Sequence, residues 1–193
     1  MSTQPTLNLP NILTWLRIGM IPLFIAVFYL PYPWAYPLSA LIFALAGLTD
    51  FVDGYLARKL KQESRFGAFL DPVADKLIVA AALVMLVSEH GGFMLALPAI
   101  IIIGREIAIS ALREWMAEVG ARKSVAVSMI GKVKTTAQMV SIPLCLYHAP
   151  IGSFNTQFHG TWLMYVAAAL TLWSMIYYLR MAWPHLKEKS GER

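Results

Sequence analysis

The positive charges of this chain are confined to four blocks, and the segments between them are almost wholly apolar. No Lys or Arg occurs between Arg17 and Arg58, between Lys76 and Arg105, or between Lys134 and Arg180. All sixteen basic residues therefore fall within 1–17, 58–76, 105–134 and 180–193. Apolar stretches of roughly 20 residues are what a helix needs to cross a hydrocarbon core, and six are found, at about 12–30, 37–58, 72–88, 93–118, 124–147 and 161–183. Basic residues stay on the cytoplasmic side of a membrane. The alternation predicts an all-α membrane protein with six crossings and both termini inside. The 59–66 loop and the region around Arg122 and Lys123 are expected inside as well, with the connections at 31–36, 89–92 and 148–160 outside.

Composition agrees: 58% of residues are hydrophobic, too many for an ordinary soluble domain of this size. The first apolar stretch is too long for a cleavable signal peptide, and no small-residue cleavage site follows it. The net charge of +5 reads as topology plus attraction to anionic lipid, with no nucleic-acid partner. The single cysteine, Cys145, excludes an intramolecular disulfide and reads as a small buried apolar residue. No domain boundary divides residues 1–193. A short interfacial segment ending in Leu7-Asn8-Leu9-Pro10 precedes the first span, and Tyr29, Tyr32, Trp34 and Tyr36 cluster at the first outer turn as an aromatic belt does. His90, His148, His159 and His185 lie outside any motif.

Acids inside the spans are the informative departures, because a carboxylate at mid-helix costs roughly 2.5–3.5 kcal/mol to insert. The second span contains Asp50-Phe51-Val52-Asp53-Gly54-Tyr55-Leu56-Ala57-Arg58. Asp50 lies eight residues before Arg58, about 12 Å deeper along a helix. At about 100° per residue, Asp50, Asp53, Gly54, Ala57 and Arg58 share one acidic and unusually small arc. After a short polar loop come Gly67, Asp71 and Asp75, four apart and on one face if the segment is helical. The loop makes these spans antiparallel neighbours, so four carboxylates converge just inside the inner surface. Unaided they would repel one another and protonate. Divalent cations with oxygen ligands remove that cost, Mg²⁺ or Mn²⁺ being the usual choice near phosphates. Simpler readings exist residue by residue. Asp71 before Pro72 also suits an N-cap, Gly54 and Gly67 suit close helix packing, and Asp50 or Asp53 could pair with an arginine. The full string at fixed spacing outweighs them.

That string, Asp50-x-x-Asp53-Gly54-x-x-Ala57-Arg58, eight residues, then Gly67-x-x-x-Asp71-x-x-x-Asp75, resembles the signature of the CDP-alcohol phosphatidyltransferases at every position. The resemblance implies a six-helix membrane fold, homodimeric, with a two-metal site open to the cytoplasm. It implies Asp50, Asp53 and Asp71 as metal ligands and Asp75 as general base, also touching metal. Asp53, Gly54, Ala57, Arg58 and Gly67 would line the nucleotide pocket.

Downstream basic residues bear on the acceptor alcohol. Arg105 interrupts an apolar run and would face the cavity or an acid. Arg113 lies about 80° round the helix from it, and Glu106 and Arg113 are nearly aligned and suited to pair. Lys132 and Lys134 point in opposite directions, so at most one faces inward easily. Arg105, Arg113 and Lys132 together would suit an acceptor carrying a phosphate, the plainer alternative being interfacial anchors and ion pairs. Residues 104–118, 124–139 and the entry Pro10-Asn11-Ile12-Leu13-Thr14-Trp15-Leu16-Arg17 look like bacterial members of the family whose acceptor is sn-glycerol 3-phosphate. Asn11, Thr14 and Arg17 would then also face the site. The implied substrates are CDP-diacylglycerol and sn-glycerol 3-phosphate, and the implied location is the bacterial inner membrane. Serine, inositol phosphate or phosphatidylglycerol are alternative acceptors. A divalent-cation transporter is the alternative class, disfavoured because transport sites lie near the midplane at a repeat interface.

Overall fold

In the computed structural model the backbone is described for residues 9–60, 65–120 and 129–190, and side chains for a slightly narrower set. The described residues form six α-helices: α1 (Leu9–Phe28), α2 (Ala35–Leu60), α3 (Arg65–Leu86), α4 (Gly92–Glu118), α5 (Met129–Tyr147) and α6 (Thr156–Ser190). The first apolar stretch thus becomes helical slightly earlier than expected, and the last begins at Thr156. Two helical segments, Gly92–Glu118 and Thr156–Trp183, are long and apolar enough to cross a membrane. Shorter apolar runs occupy Ile12–Phe28 and Ala35–Thr49.

The third helix departs most from expectation. It begins at Arg65, not after Asp71, and carries Pro72 in its interior. Asp71 is therefore no N-cap. Gly67, Asp71 and Asp75 do occupy successive turns of one helix. Proline there removes one backbone donor from the helix.

Helices α3 and α4 join through a single π-helical turn, Val87–Gly91. Gly92 follows with φ of 39°, a left-handed value that glycine adopts at little cost. The connection expected at 89–92 falls at this turn.

All six helices contribute to one core. Phe24 and Phe28 of α1 meet Phe43 and Ala46 of α2, Ala82 and Leu83 of α3, Ile102 of α4, Ile142 and Leu146 of α5, and Met164 of α6. A second, smaller cluster joins α4 to α6 through Ile109, Met116, Tyr178 and Ala182. The outside is as apolar as the inside: Trp15, Leu48, Val84, Ile100, Ile107 and Trp173 are all exposed. Exposed apolar surface on every helix suits a lipid surround. Cys145 is buried in the core, and its backbone lies close against Gly160 of α6. A Cβ at Gly160 would sit 2.8 Å from Cys145 Sγ and 2.9 Å from Cys145 N.

Candidate active site

Two rungs tie α1 to α3. Thr14 and Arg17 are one turn apart on α1, as Asp71 and Asp75 are on α3. The Thr14 hydroxyl donates to Asp71 Oδ1 at 2.5 Å, and Arg17 Nη1 donates to Asp75 Oδ1 at 2.8 Å. Arg17 is completely buried, while the Asp75 side chain keeps 36% of its surface. The arginine is thus a fixed support and the carboxylate faces accessible space. Asn11, Thr14 and Arg17 were expected to face the site; Thr14 and Arg17 reach Asp71 and Asp75, and the side chain of Asn11 lies outside the described residues.

That space is a cavity of about 440 Å³ bounded by α3, α4 and α5. Asp75 and Lys76 line it from α3, Glu106 from α4, and Thr135 and Gln138 from α5, with Ile102 and Met139 among its apolar walls. Behind Glu106 lies a dense cluster of charge. A single Glu106 oxygen, Oε1, accepts from Lys134 Nζ at 2.5 Å and from Arg105 Nη1 at 2.9 Å. Lys134 is 2% exposed and Arg105 7%. Lys76 Nζ donates to Ser110 Oγ, which in turn donates to the Glu106 carbonyl. The residue next to Asp75 is thereby tied to α4.

These partners correct one expectation. Glu106 pairs with Lys134 and Arg105, whereas Arg113 turns to α6 and stacks on Tyr178, its Cζ 5.3 Å from the ring centroid. A shared azimuth on one helix was outweighed by a buried cation arriving from α5. Of the two α5 lysines, Lys134 is seen at the site. The side chain of Lys132 lies outside the described residues, as do those of Asp50, Asp53, Gly54, Ala57, Arg58 and Gly67, whose backbones belong to α5, α2 and α3. Sequence reasoning weighed Lys134 but favoured Lys132, and it passed over Ser110, Gln138, Ser174 and Tyr178. Lys134 and Gln138, one turn apart on an apolar helix and both buried, were the available signal. Tyr178 left none, since an aromatic in an apolar span reads as core. Of the histidines, His148 stands at the α5 terminus with φ of 58°, and His159 bonds Asn155. Both are away from the cavity.

Asp71 and Asp75 suit a hard divalent cation, being oxygen donors one turn apart beside a cavity. Among the described residues no third acid, histidine or cysteine joins them to form a set of three. The remaining acids of the motif, Asp50 and Asp53, belong to the neighbouring α2.

The family model described as CDP-alcohol phosphatidyltransferase matches residues 7–173, and the chain belongs to that family. Family membership and the two long apolar helices together make it a membrane protein. Among curated relatives, a CDP-diacylglycerol–glycerol-3-phosphate 3-phosphatidyltransferase of Pseudomonas fluorescens is 54% identical over 94% of this chain and 93% of its own. Proteins of the same name from Salmonella paratyphi A and Yersinia enterocolitica are 55% and 53% identical, over 91% and 94% of this chain and 94% and 98% of theirs.

Proposed function

We propose that this chain transfers the phosphatidyl group of CDP-diacylglycerol to sn-glycerol 3-phosphate, giving phosphatidylglycerophosphate and CMP. The observation that carries this reading is the single cavity that has Asp75 on one wall and Glu106, with the cations it gathers, on another. An acceptor with a hydroxyl at one end and a phosphate at the other needs that pairing: a proton acceptor within reach of the hydroxyl and positive charge near the phosphate. More than 50% identity over nearly full length to relatives named for this reaction supports the choice of acceptor.

Asp75 takes the proton of the attacking hydroxyl. The acceptor oxygen then bonds to the lipid-bearing phosphorus, and the bond from that phosphorus to the CMP oxygen breaks. Arg17 holds Asp75 Oδ1 in place, and Thr14 does the same for Asp71. Two Mg²⁺ or Mn²⁺ ions, when bound, neutralise charge on the diphosphate and the departing CMP. Asp50, Asp53, Asp71 and Asp75 would hold them. Asp53, Gly54, Ala57, Arg58 and Gly67 line the nucleotide pocket, and Arg105, Arg113 and Lys132 hold the acceptor phosphate, with Lys134 beside them. The setting is a bacterial inner membrane, six spans with both termini cytoplasmic, the site facing the cytoplasm, and two copies forming a homodimer. A site at the inner edge lets the acyl chains stay in lipid while nucleotide and acceptor arrive from water.

The test is CMP release from CDP-diacylglycerol by the purified protein, with sn-glycerol 3-phosphate, serine, inositol phosphate or phosphatidylglycerol as acceptor. Release with sn-glycerol 3-phosphate is expected. Release with another alcohol and none with this one overturns the acceptor, and no release with any overturns the reaction.

A further inference from the structure

Two arginines of α4 converge on one ring of α6. Arg105 Cζ lies 5.8 Å and Arg113 Cζ 5.3 Å from the centroid of the Tyr178 ring. Tyr178 is fully buried in the second core cluster. Arg105 Nη2 also donates to Ser174 Oγ, one turn earlier on α6, at 3.2 Å. Arg113 Nη2 reaches the Tyr178 hydroxyl at 3.4 Å.

Bringing two guanidiniums to one ring sets like charges against each other. Lys134 adds a third cation within electrostatic reach of both. The acid that the described residues place against them is Glu106, already shared between Lys134 and Arg105. The Nε atoms of Arg105 and Arg113 are buried with no hydrogen-bond partner among the described residues. Buried donors in a cluster with surplus positive charge are what an oxyanion satisfies. The ring offsets the repulsion meanwhile, since the negative face of an aromatic ring attracts guanidinium groups.

We infer that Tyr178 is a positioning residue for the anionic group of the acceptor, its ring holding Arg105 and Arg113 side by side where a phosphate bridges them. This inference rests on the proposed function. Tyr178 and Ser174 both fall beyond the residues 7–173 matched by the family model.

The experiment compares wild type, Tyr178→Phe and Tyr178→Leu as full-length protein in detergent, measuring KM for each substrate, kcat and melting temperature. Tyr178→Phe keeps the ring and is expected within twofold or so of wild type throughout. Tyr178→Leu keeps an apolar side chain but removes the ring. Its KM for sn-glycerol 3-phosphate is expected to rise about tenfold, the scale of two lost cation–ring contacts, with the KM for CDP-diacylglycerol unchanged. An unchanged acceptor KM in Tyr178→Leu overturns the inference. So does an equal rise in both KM values, the mark of a merely structural role, or a Phe variant as impaired as Leu. A second arm needs no turnover: inorganic phosphate is expected to raise the melting temperature of wild type and Tyr178→Phe but not of Tyr178→Leu. If wild type fails to use sn-glycerol 3-phosphate, the proposed function falls alone. The inference then stands if phosphate stabilises the three proteins in that pattern, and falls if it does not.

Discussion

Arg17 donates from full burial to a carboxylate that keeps a third of its surface, and the proposed roles of support and base rest on this asymmetry. A buried guanidinium that bonds one carboxylate oxygen fixes where the other points. Replacing Arg17 with Gln removes a hydrogen bond to a charged group, worth about 1.5–3 kcal/mol. We expect kcat to fall about 10- to 100-fold with the donor KM within threefold, checked by steady-state kinetics. A donor KM that rises instead of a falling kcat would place Arg17 in lipid binding. Asp75→Asn keeps the shape and the acceptor oxygen for Arg17 but loses the proposed base. We expect turnover to drop at least a hundredfold or so in a protein that still inserts and folds. Metal content measured beside it shows whether the same carboxylate also serves as a ligand. That Thr14 and Arg17 lie towards Asp71 and Asp75 could be read from sequence because the spacing of each pair is fixed within a single helix. The partners of Glu106 could not. Arg113 shares its azimuth, and only the packing of α5 on α4 brings Lys134 closer.

Helix starts were the least readable elements. Asp71-Pro72 has the composition of a helix start, yet α3 runs through it from Arg65. The reversal at Gly92 was readable, since a left-handed φ calls for glycine. So was the burial of Cys145. Its contact with α6 carries a sharper consequence. At Gly160 an added methyl would stand 2.8 Å from the Cys145 sulfur and 2.9 Å from its backbone nitrogen. Gly160→Ala is expected to destabilise the protein by about 1–3 kcal/mol, measured as a lower melting temperature in detergent. Adding Cys145→Ala removes the sulfur but not the nitrogen, so only partial recovery is expected. Full recovery would mean that α5 and α6 can slide apart at no cost.

For the whole molecule, the segregation of basic residues makes a topological claim that a labelling experiment can decide. Cys145 is the sole cysteine, so a Cys145→Ala background accepts single reporters. A cysteine at Ser153 should react with a membrane-impermeant maleimide added to intact cells. One at Glu118 should react only after the membrane is opened. Labelling of both from outside would overturn the proposed six-span arrangement. Chelation offers a second global test: EDTA should abolish CMP release, and Mg²⁺ or Mn²⁺ should restore it. Activity that survives exhaustive chelation would leave the acid string without its proposed occupant. The bond between Arg17 and Asp75 also has a bearing on biosynthesis, because its two ends are 58 residues apart. In the proposed six-span topology the first helix enters the bilayer carrying its guanidinium before Asp75 has been translated. A long cationic side chain can reach towards the headgroups in the meantime, so the leading helix is expected to settle to its final depth only once α3 brings Asp75 alongside.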